Sequence, residues 1–314
     1  MNIVFFGSSQ FAVPSLKALV EHKYAISCVV TQPDKEKGRG LHLASTPVKS
    51  ASVKLSLKIY QPENVNHKES IKFLRALNPD LFVIVSYGQI LSADILGLPG
   101  IFSVNVHASL LPKYRGAAPV SWALIKGEKE TGVTLMQVGE KMDTGPIILQ
   151  ERIKIGAEDN AETLEERLSV EGATLLLRAL RTIESKKYSL IPQDDKEASY
   201  APKLRKNDGM ILWNSRSADI LNLVRGCVNW PGAFTYYNGK LLKVFKARIS
   251  TPSLNPASLS PGEIESLSAE GITVATGDGR ISLEEVQIEG RRRMSAKEFI
   301  AGYRMSKGDK FSKK

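Results

Sequence analysis

Gly100–Pro119 reads GIFSVNVHASLLPKYRGAAP. A short apolar run ends in Asn105 and His107, and Ser109, Lys113 and Arg115 follow at once. Side chains two apart on a strand point to the same side, so Asn105 and His107 would leave the strand together. An amide donor beside an imidazole suits acyl transfer: the amide binds a developing oxyanion while the imidazole stabilises it or handles a proton. The plainer alternative is two polar residues satisfying backbone groups at a strand end. Scarcity favours chemistry, because the chain has four histidines and His22, His42 and His67 sit in segments that read as solvated.

Upstream, NIVFFG, AISCVVT, LKIYQ and LFVIVS alternate with amphipathic stretches such as HKESIKFLRAL. Near-continuous apolar strands separated by helices imply a parallel sheet covered on both faces. Ligands of such sheets sit beyond the carboxyl ends of the strands, where strand order reverses. Asn105 and His107 fall at that end. Downstream, TLMQV and PIILQERIKI predict a further pair of strands, and AETLEERLSVEGATLLLRALRTIESKK a long closing helix. Ile191–Leu204 has two prolines, many charges and little periodicity, the texture of a linker.

Beyond it, SADILNLVRGC is helical, and short strands follow, broken at Asn238-Gly239 and Asp278-Gly279. Both dipeptides suit type I′ hairpin turns. The expected organisation is therefore a Rossmann-like α/β domain over 1–190, a linker over 191–205 and a small OB-like β-barrel over 206–314.

The formal net charge is +10, and from Lys206 onward 17 Lys and Arg face 11 Asp and Glu. The second domain thus holds most of the excess, which favours an anionic partner such as nucleic acid. Cys28 and Cys227 lie far apart with no CxxC spacing, against a zinc site or a disulfide framework. No stretch approaches the roughly 20 apolar residues that span a bilayer, and the first residues read as a strand rather than a secretory signal. A cytoplasmic protein is expected, with no heptad pattern to demand a protein partner.

Other chemistries are excluded by what is missing. The turn after the first strand, GSSQFA, holds Gly7 alone, not the GxGxxG of a dinucleotide site, which excludes NAD or flavin. There is neither a Walker lysine loop nor a GxSxG elbow. EKMDTGP, 140–146, supplies an acid, Asp143, that would pair with an imidazole and fix its tautomer, although Asp-Thr-Gly is also good turn chemistry. An aspartic protease would need a second such triplet, and none occurs. Gln32–Ser50 is long for a connection, and long loops are often functional. Arg39 between two glycines can reach a phosphate, or simply be solvated.

NVHASLLPKYRGAAP followed by MDTGP resembles the folate-dependent formyltransferases, and TQPDKEKGRG with TPVK resembles their branch acting on methionyl-tRNA. VSYGQIL, NWPGAF and VATGDG extend the likeness over the chain. The resemblance implies a catalytic set of Asn105, His107 and Asp143, without a metal. It implies folate contacts at Ser109, Leu110, Leu111 and Pro112, with Val85, Tyr87 and Gly88 lining the pterin pocket through backbone groups. It places Arg39 on the loop that grips the acceptor end of initiator tRNA, with Lys113 and Arg115 as nearby cations. KEK before the GRG and LHLAS after it depart from the family loop, so the role passes to Arg39 only. The implied reaction is attack by the α-amino group of methionyl-tRNA on the formyl carbon of 10-formyltetrahydrofolate, giving the N-formylmethionyl-tRNA that initiates translation. Two rivals stay open: formyl transfer to a small amine, and a non-catalytic RNA-binding protein.

Overall fold

The computed structural model describes residues 1–37, 42–139, 141–250 and 259–312. Two compact units divide the chain. The first comprises Met1–Pro119, Glu130–Lys154 and Glu165–Ala201; the second comprises Val120–Lys129, Ile155–Leu164 and Pro202–Lys314.

In chain order the first unit runs β1 (Asn2–Gly7), α1 (Val13–Glu21), β2 (Ala25–Val30), a ribbon of β3 (Lys35–Lys37) and β4 (His42–Ala44), then α2 (Pro47–Lys54), β5 (Ile59–Tyr60) and α3 (Lys68–Ala76). It continues through β6 (Leu81–Val85), α4 (Ala93–Leu96), β7 (Phe102–His107), β8 (Glu130–Gln137) and β9 (Ile147–Lys154). Helix α5 (Pro119–Ile125), in the second unit from Val120 on, precedes β8, and α6 (Ala161–Glu184), in the first unit from Glu165 on, follows β9. The sheet order is β5-β2-β1-β6-β7-β8-β9. Its central strands are apolar because both faces are covered: Ile3, Val4, Phe5 and Phe6 are fully buried, as are Leu81, Phe82 and Val83.

The expectation of a parallel sheet holds for β5 through β7. The last two strands depart from it, because β8 runs antiparallel to β7 and β9 antiparallel to β8. Burial along β9 alternates after its first two residues, as in an antiparallel edge with one face in water.

From β1 the chain builds outward to β2 and β5, then returns to lay β6 and β7 on the other side. Strand order therefore reverses between β1 and β6, whose carboxyl ends, Gly7 and Val85, are in register. A Cβ on Gly7 would stand 2.8 Å from the Phe5 ring and 2.9 Å from Ala12, so only glycine fits this turn.

The second unit contains α7 (Ser217–Gly226), β10 (Ala233–Tyr237), β11 (Lys240–Ile249), β12 (Ile264–Leu267), β13 (Ile272–Ala275), β14 (Arg280–Ile288), β15 (Met294–Ser295) and α8 (Ala296–Gly302). The strands form one antiparallel sheet, β10-β11-β14-β13-β12, with β15 on β14. The end of the chain joins its two edges: Ser312 pairs with Tyr236 of β10, and Lys310 with Glu263 just before β12. That closure makes the sheet a small barrel around Trp213, Val244, Ile272, Leu283, Phe299 and Phe311.

Asn238 and Gly239 both have positive φ, at 49° and 74°, as a type I′ turn requires. Asp278-Gly279 does not follow: neither has positive φ, and Asp278 instead accepts a hydrogen bond from the Ser217 amide at 2.7 Å. Side-chain capping won over hairpin geometry there.

Of the stretch read as a linker, the residues up to Ala201 belong to the first unit. Ile191 forms an antiparallel bridge with Ile147, and Arg115 pairs with Tyr200. No helix of the described residues is long and apolar enough to cross a membrane.

Candidate active site

Strand β7 places Asn105 and His107 on one side at its carboxyl end, beside Met136 and Thr134 of β8. His107 is buried, with 6% exposure. Its Nε2 lies 3.0 Å from the carbonyl oxygen of Tyr114. A carbonyl can only accept, so Nε2 carries a proton and Nδ1 is the nitrogen free to gain or lose one. Nδ1 faces Oδ2 of Asp143 at 3.7 Å. That exceeds a hydrogen bond, yet leaves a strong attraction once the imidazole is charged.

Asp143 is held in its own right. Oδ2 accepts a hydrogen bond from the Gly116 amide at 2.9 Å, and the residue sits at φ 55°, a region Asp tolerates better than most. Asn105 is half-buried, and among the described residues its side-chain amide has no hydrogen-bond partner. An amide, an imidazole and a carboxylate thus occupy the end of β7 and the loop after β8. Together they can bind an oxyanion and move a proton.

The SLLP stretch is pinned from beneath. Thr134 donates to the Ser109 carbonyl at 2.6 Å and accepts from the Leu111 amide at 3.2 Å. Gln150 donates to the Leu111 carbonyl at 2.7 Å and to the Thr134 hydroxyl at 2.8 Å. Ser109 is fully buried, with its hydroxyl on the Lys113 carbonyl, and Leu111 packs with Met136 and Ile147. Those two residues shape the loop, while Leu110 and Pro112 keep some exposed surface.

At the switch point Val85 is fully buried and Tyr87 nearly so, so they can offer a ligand only main-chain groups. Burial pushes the Tyr87 phenol above its usual range, and its hydroxyl has no hydrogen-bond partner among the described residues. Ser8 donates to the Tyr87 carbonyl at 2.9 Å, tying β1 to this turn. Gly88, at φ 91°, has open space where a side chain would be. The turn is therefore open at Gly88.

The cations expected to touch tRNA separate into three cases. Lys113 is exposed. Arg39 lies outside the described residues. Arg115 departs from expectation: it is 3% exposed, with Nε and Nη2 at 3.1 and 2.9 Å from the Gln193 side-chain oxygen and Nη2 2.8 Å from Asp195. A guanidinium so enclosed cannot also reach a phosphate. Around the Arg39 loop, Lys49 pairs with Asp34 at 2.6 Å and Gln61 donates to the same carboxylate at 3.0 Å; the Lys49 hydrogen bond holds the Asp34 carboxyl below its usual range.

Gln193, Thr134 and Gln150 were not legible as site residues. Thr134 and Gln150 sit on ordinary strand positions, and Gln193 lies in the aperiodic stretch after α6. Among the described residues no group of three or more His, Cys, Asp or Glu could hold a metal ion.

Comparison with known proteins shows the family. Residues 1–180 match the formyl transferase family model, and residues 203–304 match that of the formyl transferase C-terminal domain. The methionyl-tRNA formyltransferase of Syntrophus aciditrophicus is 44% identical over 308 residues, covering 98% of each chain. Among solved structures, a methionyl-tRNA formyltransferase from Clostridium thermocellum aligns with a TM-score of 0.55 at 16% identity, over 80% of this chain and 94% of that one. HypX from Aquifex aeolicus, solved with tetrahydrofolic acid, aligns with a TM-score of 0.66 at 16% identity, over 99% of this chain and 50% of its own.

Proposed function

Because the chain belongs to the methionyl-tRNA formyltransferases, we propose that Asn105, His107 and Asp143 are the residues that carry its formyl transfer. The formyl donor is 10-formyltetrahydrofolate and the acceptor is the α-amino group of methionyl-tRNA. The amine nitrogen bonds to the formyl carbon, the bond from that carbon to N10 of the folate breaks, the amine gives up a proton, and N10 gains one as it leaves. Tetrahydrofolate and N-formylmethionyl-tRNA leave.

In this reading the side-chain amide of Asn105 donates to the formyl oxygen as it becomes an oxyanion. His107 keeps its Nε2 proton on the Tyr114 carbonyl and exchanges a proton at Nδ1, where the carboxylate of Asp143 stabilises the imidazolium. Asp143, anchored by Gly116, orders the path by which the amine loses its proton. The observation that carries the reading is the approach of His107 Nδ1 to Asp143 Oδ2, with Asn105 two residues before His107 on the same strand.

The folate is assigned to the turn around Tyr87 and Gly88 and to the exposed surface of Leu110 and Pro112. Backbone groups there can read a pterin ring without help from the buried side chains. The tRNA is assigned to Arg39, Lys113 and the basic second unit. This chemistry belongs in the cytoplasm, where translation starts.

The test mixes purified protein with 10-formyltetrahydrofolate and methionine-charged initiator tRNA, and counts formyl-methionine released by base. Product is expected. A folded protein that binds tRNA yet yields none contradicts the reading.

A further inference from the structure

Gln193 joins Arg115 to the loop that carries Asp143. Its side-chain oxygen accepts two hydrogen bonds from Arg115, at 3.1 and 2.9 Å. A guanidinium only donates, so the orientation of the Gln193 amide is fixed and its NH2 group points the other way. That group donates to the carbonyl oxygens of Asp143, at 2.9 Å, and of Gly145, at 2.7 Å. One amide therefore grips the backbone on both sides of Thr144, at a loop whose Asp143 stands in the left-handed region.

The carboxylate of Asp143 is held by the same frame. Its hydrogen-bond donor is the Gly116 amide, next in sequence to Arg115. Arg115 is fixed by two main-chain bonds, its amide to the Ser199 carbonyl at 2.8 Å and its carbonyl from the Ala201 amide at 2.7 Å. A Cβ on Gly116 would meet the Ala201 carbonyl oxygen at 2.6 Å, so the two strands of chain lie too close for any other residue. Asp195, exposed at its far side, balances the buried guanidinium.

We propose that Gln193 is a positioning residue for the formyl-transfer reaction: with Arg115 behind it, it sets the backbone of the Asp143 loop so that the carboxylate faces His107. The inference rests on the assignment of Asp143 as a reacting group. It also gives the aperiodic stretch after α6 a role in catalysis, since Gln193, Asp195, Ser199 and Ala201 all come from it.

Gln193→Glu isolates the claim. The carboxylate keeps the volume and the pairing with Arg115 but has no hydrogen to give to Asp143 and Gly145, and it sets lone pairs against their carbonyls. Gln193→Ala removes the donor without adding charge and serves as the second variant if the first fails to fold. Each is made in the parent and in an Asp143→Asn background, and kcat and both KM values are measured for formyl transfer. Displacing a reacting group by a fraction of an ångström costs about 10- to 100-fold in kcat, and that drop is expected in the parent with KM values within about threefold. In the Asp143→Asn background the same change is expected to cost less than about threefold, because residues acting through one another are not additive. A parent kcat within about twofold overturns the proposal, as does an equal drop in both backgrounds. If Asp143→Asn alone is fully active, the assignment of Asp143 fails first, and the two failures are told apart.

Discussion

Nδ1 of His107 and Oδ2 of Asp143 face each other at 3.7 Å, while the opposite ring nitrogen is fixed on the Tyr114 carbonyl at 3.0 Å. The arrangement commits the imidazole to one tautomer when neutral and leaves its exchangeable position toward the acid. Asp143 in turn is fixed by the Gly116 amide rather than by His107, so the carboxylate keeps its place whichever protonation state the ring adopts.

Asn105→Ala removes a single donor to the oxyanion. Turnover is expected to fall about 100- to 1,000-fold, the usual cost of one such donor, with the melting temperature unchanged. Steady-state kinetics beside a thermal melt checks this; near-normal turnover would remove Asn105 from the reaction.

Arg39→Ala is expected to raise KM for the tRNA more than KM for the folate. Its effect should weaken as salt rises, because phosphate contacts are screened. If only the folate constant moves, the assignment of the loop to tRNA is wrong.

Burial pushes the Cys28 thiol up to about 11 and the Cys227 thiol up to about 12. Both are therefore protonated at pH 8 in the native protein and react slowly with alkylating reagents. The stability that goes with this is complete below the unfolded thiol pKa, about 8.5, and is lost as pH rises through the folded values. Mass spectrometry after iodoacetamide at pH 8 should find neither cysteine modified in native protein and both modified in denaturant.

Phe311 is 2% exposed and stacks on Trp213 with ring centroids 5.4 Å apart, in the segment that joins the barrel's two edges. Phe311→Ala is expected to cost about 3–5 kcal/mol, the range for a buried phenylalanine truncated in a core. Urea unfolding followed by tryptophan fluorescence measures it. A loss below about 1 kcal/mol would mean that the closing segment contributes little.

Much of this was legible in the sequence for identifiable reasons. Strands such as NIVFFG and LFVIV are apolar on both faces because the sheet is covered on both, and Asn238-Gly239 needs the positive φ that those two residues accept. The reversal of β8 and β9 was not legible, since periodicity reports burial and not strand direction. Arg115 was read as an open cation because its partners, Gln193 and Asp195, are 78 and 80 residues away. A charge can be recognised in sequence, but whether it meets water or a buried amide depends on the fold. For the same reason the stretch after α6 resembled a linker: its hydrogen bonds go to Ile147, Pro112 and Arg115, none of them near it in the chain.

The reaction and its acid can be tested together by counting base-released formyl-methionine from 10-formyltetrahydrofolate and charged initiator tRNA, with the parent protein and Asp143→Asn run side by side. Rapid product from the parent and a rate lower by roughly 100- to 10,000-fold in the variant is the predicted result for a lost acid–base group. Equal rates from the two proteins would contradict the account, because His107 would then have no need of the carboxylate that stands 3.7 Å from its ring.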